Sequence, residues 1–114
     1  MNNKIAIDIY NELQSFIGAP NDKIIWEQID KSLSNILDIE IKNNQLKEYK
    51  ILCNETTNDK RFVKNEIHVG VMFLEKENAS WLFQHLIITD KTVVNTKIEE
   101  IKKEVKDEFR ENRK

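Results

Sequence analysis

Apolar positions along this chain follow two rhythms, a helical spacing toward both ends and strict alternation in the middle. From Asn65 to Thr89 two alternating runs flank the polar connection Glu75-Lys76-Glu77-Asn78, which is the pattern of a β-hairpin. In its first strand Ile67, Val69, Val71 and Phe73 share a face, while Glu66, His68, Gly70, Met72 and Leu74 share the other. In its second, Trp81, Phe83, His85 and Ile87 oppose Leu82, Gln84, Leu86 and Ile88. Both faces are partly apolar, which predicts a sheet covered on one side and contacted on the other.

Ahead of the hairpin, Ile5, Ile9, Leu13, Phe16 and Ile17 mark an amphipathic helix between Asn3 and Ile17, whose last residues are equally compatible with a short strand. Gly18-Ala19-Pro20-Asn21-Asp22 breaks it. Asn21 or Asp22 then caps a second helix, with Ile25, Trp26, Ile29, Leu33, Ile36 and Leu37 on one face and a stop at Asn43-Asn44. Glu48 to Asn54 reads as a strand with Tyr49, Ile51 and Cys53 on one side, and Glu55 to Arg61 as a polar loop. Beyond Thr96 the pattern becomes a charged helix with a narrow stripe of Ile98, Ile101, Val105 and Phe109. The expected fold is therefore α+β: an antiparallel sheet of about three strands packed against two N-terminal helices, plus a charged C-terminal helix.

Length and composition narrow this picture. A chain of 114 residues with 39% hydrophobic content suits one domain spanning 1–114, with a core over 16–89 and an extension over 96–114. The near balance of 18 basic and 20 acidic residues leaves no electrostatic footprint for nucleic acid. No apolar run approaches the ~20 residues that span a bilayer, and the amino terminus lacks the features of a signal peptide, so synthesis in the cytoplasm is expected.

Candidate chemistry is sparse. Cys53, His68 and His85 are the residues that invite a thiol–imidazole or metal reading, but no electropositive setting for a thiolate is visible, and structural zinc wants four closely spaced ligands. Asp30, Asp38 and Glu40 fall at solvated helix positions, and Gly70 stands alone rather than in a phosphate-binding loop. Trp26 and Trp81 sit within apolar patterns and read as core. No enzyme, cofactor or metal is expected on these grounds.

Taken together, Pro20-Asn21-Asp22, Trp26 and Ile29, then Leu46, Tyr49, Ile51, Cys53-Asn54 and Thr57-Asn58, then Val69-Gly70-Val71, and finally Asn78-Ala79-Ser80-Trp81-Leu82 follow one another in an order that resembles the C-terminal domain of the phage contractile-tail sheath protein. The resemblance covers about two-thirds of the chain. It departs from the family's pattern at Asn54, Asn78 and Ser80, lacks the large N-terminal part of a sheath protein, and replaces the short terminal arm by the charged helix.

The resemblance implies a virion protein of a bacteriophage tail or neck, made in the host cytoplasm and assembled with copies of itself and other tail or neck proteins into a homo-oligomeric ring. Subunits would be joined by strand addition. The side chains expected at such interfaces are Val69, Val71, Phe73 and Trp81 in the hairpin and Ile98, Ile101, Val105 and Phe109 in the charged helix. A tail terminator or tail-completion protein joining head and tail, and a small cytoplasmic adaptor, are the alternative expectations.

Overall fold

A computed structural model of the chain describes residues 4–59, 65–77 and 80–95, together with the backbone of 99–101. Two helices, α1 (Lys4–Leu13) and α2 (Lys23–Lys42), precede an antiparallel sheet of β1 (Leu46–Leu52), β2 (Ile67–Glu75), β3 (Trp81–Ile88), β4 (Val93–Asn95) and β5 (Glu99–Ile101). The class is α+β. Strand order is β1-β2-β3-β4, with β5 also paired to β3.

The expected boundaries hold for local chemical reasons. α1 passes into a 3-10 turn at Gln14–Phe16, which decides between the helix and strand readings of that stretch in favour of helix. Gly18, at φ +81, then turns the chain and donates its N–H to the Thr89 carbonyl at 3.1 Å. Asp22 caps α2 by accepting from the Ile25 N–H at 3.0 Å. At the other end Asn44 adopts φ 64, Asn44 N–H reaches Ile41 O and Gln45 N–H reaches Glu40 O. That pair of bonds is a Schellman stop, which satisfies carbonyls that a helix end otherwise leaves orphaned.

Both helices lie on one side of the sheet, α2 over β1 and α1 over β3 and β4. Ile5, Ile9 and Leu13 of α1 and Trp26, Ile29, Leu33 and Leu37 of α2 meet Ile67, Val69, Val71, Phe73, Leu82, Leu86, Ile88 and Val93 of the sheet in one core. The β2–β3 register pairs Val69 with Leu86, Val71 with Gln84 and Phe73 with Leu82, so the alternating sets of the two strands fall on the same side. Fully burying each large side chain stabilises by about 1.5–3 kcal/mol relative to exposure, and this core holds the sheet to the helices.

One polar group shares the apolar layer. Gln84, fully buried, donates from Nε2 to Ala6 O at 3.1 Å and to Asn95 Oδ1 at 3.0 Å. Its amide thereby ties α1, β3 and β4 together. Among the described residues its Oε1 finds no partner, and a buried acceptor left unsatisfied costs about 1–3 kcal/mol.

The C-terminal region departs from expectation. Residues 99–101, expected inside a charged helix, form β5 against β3, while Val93–Asn95 form β4, an element the sequence pattern does not announce. The physical reason is competition: a narrow apolar stripe on a highly charged segment stabilises a helix only weakly, whereas strand pairing of 99–101 satisfies N–H and C=O groups of β3. Ile98, Val105, Phe109 and the rest of that expected helix lie outside the described residues.

Candidate functional site

The hairpin expected to offer an edge has none to spare. β2 is paired with β1 on one side and β3 on the other, and β3 is paired with β4 and β5 on its second side. Val69, Val71 and Phe73, expected at an interface, are fully buried under the helices and present no side-chain surface to a partner. Their burial follows from register: the face they share is the one on which Ile29, Leu33 and Leu37 close. Trp81 belongs to the opposite face and is half-buried. Ile101 lies beside it, as its backbone partner in β5.

That opposite face carries Leu52 from β1, His68, Gly70, Met72 and Leu74 from β2, and Trp81, Phe83, His85 and Ile87 from β3, nearly all of them half-buried. No described helix covers it. At its centre the Phe83 ring leans over Gly70, where an added Cβ would meet Phe83 Cε1 at 3.1 Å and Leu52 Cβ at 3.5 Å. The Val69-Gly70-Val71 sequence thus has a steric reason: the glycine makes room for an aromatic ring from the next strand.

Beside the ring, the two histidines meet. His68 Nδ1 and His85 Nε2 stand 3.0 Å apart, and His68 Nε2 is 3.2 Å from Glu66 Oε1. Burial, followed by the neighbouring His68 charge, pulls His85 below its ordinary value and favours the neutral ring. Cys53 is not part of this group. It lies in the core on the helix side, where burial and then the charge of Asp30 push its thiol up to about 12, against a small opposing effect of the Asn58 amide. A thiol held protonated and separated from both imidazoles by the sheet is poorly placed for nucleophilic chemistry.

A second cluster gathers where the β1–β2 connection meets the start of α2. Asn58, fully buried, accepts from the His68 N–H at 2.6 Å and donates back to the His68 carbonyl at 3.1 Å. β1 ends its pairing at Leu52 opposite Gly70, so the Asn58 carboxamide acts as a one-residue continuation of that strand. Asn54 holds the loop in shape by accepting from the Thr56 and Thr57 N–H groups at 2.9 and 3.1 Å. Across the groove, Asn21 accepts from Trp26 Nε1 at 2.7 Å and donates to Glu66 O at 3.0 Å.

The short motifs read from the sequence therefore occupy joints of the fold. Asn21, Asp22, Trp26, Cys53, Asn54, Asn58 and the start of β2 converge there, around a shallow groove of about 370 Å³ lined by Asp22, Lys23, Trp26, Glu55, Asn58 and Asp59. Comparison with protein-family models, curated proteins and solved structures finds no match. The site is accordingly read from its own geometry.

Among the described residues no group of three or more His, Cys, Asp or Glu side chains is arranged to hold a metal ion, and no helix is long and apolar enough to cross a membrane. Sequence reasoning assigns no hydrogen-bonding role to Asn58 or Gln84, because polar residues in a loop or a strand give no sign of pairing with distant backbone. It also misses β4. The available signal was Val93-Val94, a β-branched pair just after the turn-forming Asp90-Lys91.

The two free sheet edges differ. The outer edge of β1 bears exposed Lys47, Glu48 and Lys50 and a register irregularity between Leu46 and Glu48, both devices that discourage strand addition. On the other side β3 is completed by two three-residue strands lying end to end. Leu86 pairs with Asn95 but Phe83 pairs with Glu99, so the register differs by one between the two pairings.

Proposed function

We propose that this protein is a non-enzymatic structural component of a bacteriophage tail or neck, joining copies of itself and neighbouring tail or neck proteins into a ring within the virion by exchange of an edge strand. The observation that carries this reading is the way β3 is completed by the segment that follows Thr92, in two short pairings with a slipped register. In an isolated chain that segment closes its own sheet. In an assembly the same segment from a neighbour takes its place and restores the same backbone hydrogen bonds, which is the low-cost route by which identical elements swap between subunits.

The hinge for such an exchange is short and polar. Thr89 N–H donates to Thr92 O at 2.8 Å, and the Thr89 hydroxyl accepts from the Lys91 and Thr92 N–H groups at 3.2 and 3.0 Å. Repetition of one head-to-tail contact with a closing rotation gives a ring. The ordered motifs from Pro20 to Leu82, shared in outline with the sheath C-terminal domain, support the tail or neck setting.

The test is a cross-link across the β3–β4 register. With Cys53→Ala removing the native thiol, Ile87→Cys and Val94→Cys place two sulfurs at a directly paired position. Oxidation at high concentration, alone or beside the tail or neck proteins encoded next to it, is expected to yield a ladder of covalently joined chains. Only intrachain bonds under all those conditions would remove the proposal.

A further inference from the structure

We propose that His68 and His85 form a binding site for a divalent transition-metal ion on the open face of the sheet, with His68 Nδ1 and His85 Nε2 as ligands and Glu66 holding the His68 ring from behind. The inference is independent of strand exchange, because both ligands come from the β2–β3 pair, which exchange of the segment after Thr92 leaves intact.

Geometry is the first support. The two residues sit diagonally across the antiparallel pair, His68 opposite Ile87 and His85 opposite Gly70, a spacing that long side chains bridge. Their facing nitrogens stand 3.0 Å apart, with ring centres 5.1 Å apart and planes tilted by 31°. Two imidazole nitrogens on one tetrahedral zinc ion, with bonds of about 2.0–2.1 Å, lie about 3.3 Å apart. An opening of about 0.3 Å therefore turns the hydrogen-bonded pair into a chelating pair.

Positioning is the second support. The His68 backbone is clamped at both its N–H and its carbonyl by the buried Asn58 carboxamide. Its ring is held by Glu66 Oε1, 3.2 Å from Nε2. A carboxylate on the far nitrogen favours the Nε2–H tautomer and leaves the Nδ1 lone pair to a metal, as behind many metal-binding histidines. The partner ring is ready as well. Burial favours neutral His85, the form in which imidazole ligates.

Protons balance in the exchange. With His68 held as the Nε2–H tautomer, the proton between the rings belongs to His85 Nε2. The ion takes its place: that proton moves through solvent to His85 Nδ1, the two facing lone pairs bind the metal, and no net proton is released. Among the described residues no third His, Cys, Asp or Glu completes a cluster, so water fills the remaining positions. Two imidazoles select ions such as Zn2+, Ni2+ and Cu2+ over Mg2+ and Ca2+, which take oxygen ligands.

The test is calorimetric titration of the full chain, prepared without a histidine tag, with Zn2+ alone at about pH 7.5, where both rings are mostly neutral. One ion per chain is expected, with saturable binding lost in His68→Gln and in His85→Gln and weakened about tenfold in Glu66→Gln. Absence of saturable binding to the native chain overturns the site, as does binding that survives both histidine variants. If those variants do not fold, side-chain 15N spectra of the native chain decide. Zn2+ should shift His68 Nδ1 and His85 Nε2 together and move the His85 proton to Nδ1, whereas a response from one ring or neither overturns the proposal. The cross-linking result across β3–β4 is untouched by either outcome, so the two readings stand or fall separately.

Discussion

The two faces of the central hairpin have almost the same amino-acid character and opposite fates. On one, Ile67, Val69, Val71, Phe73, Leu82, Leu86 and Ile88 are buried almost completely. On the other, Met72, Leu74, Trp81, Phe83 and Ile87 are as apolar, yet each retains some exposure and no described helix covers them. The difference lies in what surrounds each face. The helix side is closed by two amphipathic helices, through Ile5, Ala6, Ile9 and Leu13 of α1 and Trp26, Ile29, Leu33 and Leu37 of α2. The open side is finished by local devices: a ring over a glycine, a histidine pair, and charged residues at its margins. The first face makes the fold, and the second is left without a covering helix among the described residues.

The largest effect should come from substituting the same residue type on the two faces. Phe73→Ala is expected to cost about 3–5 kcal/mol, as for other fully buried phenylalanines, and Phe83→Ala about 1–2 kcal/mol. Urea unfolding measures both, and equal losses would dissolve the distinction between the faces. Next in size is Asn58→Ala. It leaves the His68 N–H and carbonyl without their partners, each buried group costing about 1–3 kcal/mol. An effect below that of Asp22→Ala, which removes a helix cap worth about 1 kcal/mol, would show that water replaces the carboxamide.

Smaller effects sharpen the picture of the open face. Gly70→Ala should destabilise modestly, because its new methyl group meets the Phe83 ring at 3.1 Å. In a Phe83→Leu background, as judged by thermal unfolding, the same change should be neutral or stabilising, since alanine restricts the unfolded chain more than glycine does. A cost that persists without the ring would place the constraint elsewhere.

The smallest effect concerns pH. His85 is held below its ordinary value in the fold, so between that value and the unfolded-state value of about 6.5 the unfolded chain binds more protons. The stability this group contributes is full above about pH 6.5, declines as pH falls through that window, and levels off below it. Burial sets this first and the neighbouring His68 charge second. Urea midpoints at about pH 7.5 and about 5.5 should differ less in His85→Gln than in the native chain; an unchanged difference would assign the slope to other groups.

Much of the fold was legible because it rests on local rules. Asp22 as cap, Asn43-Asn44 as stop and the spacing of Ile29, Leu33 and Leu37 specify α2 without reference to anything distant. Alternation likewise specifies β2 and β3, and turn chemistry the loop between Asn54 and Asn58. The interface was far less legible. The sequence reading groups Val69, Val71 and Phe73 with Trp81 as contact residues, but the register sends them to opposite faces. Gln84 stands opposite Val71 in the core, where a polar residue would ordinarily be assigned to solvent.

By itself, then, the sequence determined the kind of element at each place from Lys4 to Ile88, since hydrophobic period, caps and turn residues act over a few positions. It also determined that both sides of the hairpin are apolar. Which side the helices cover, that β3 is completed by the chain that follows it, and that Asn58 continues β1 through its side chain were decided only by tertiary structure. Each depends on groups far apart in sequence competing for one surface or one hydrogen bond, and no local pattern encodes the outcome of that competition.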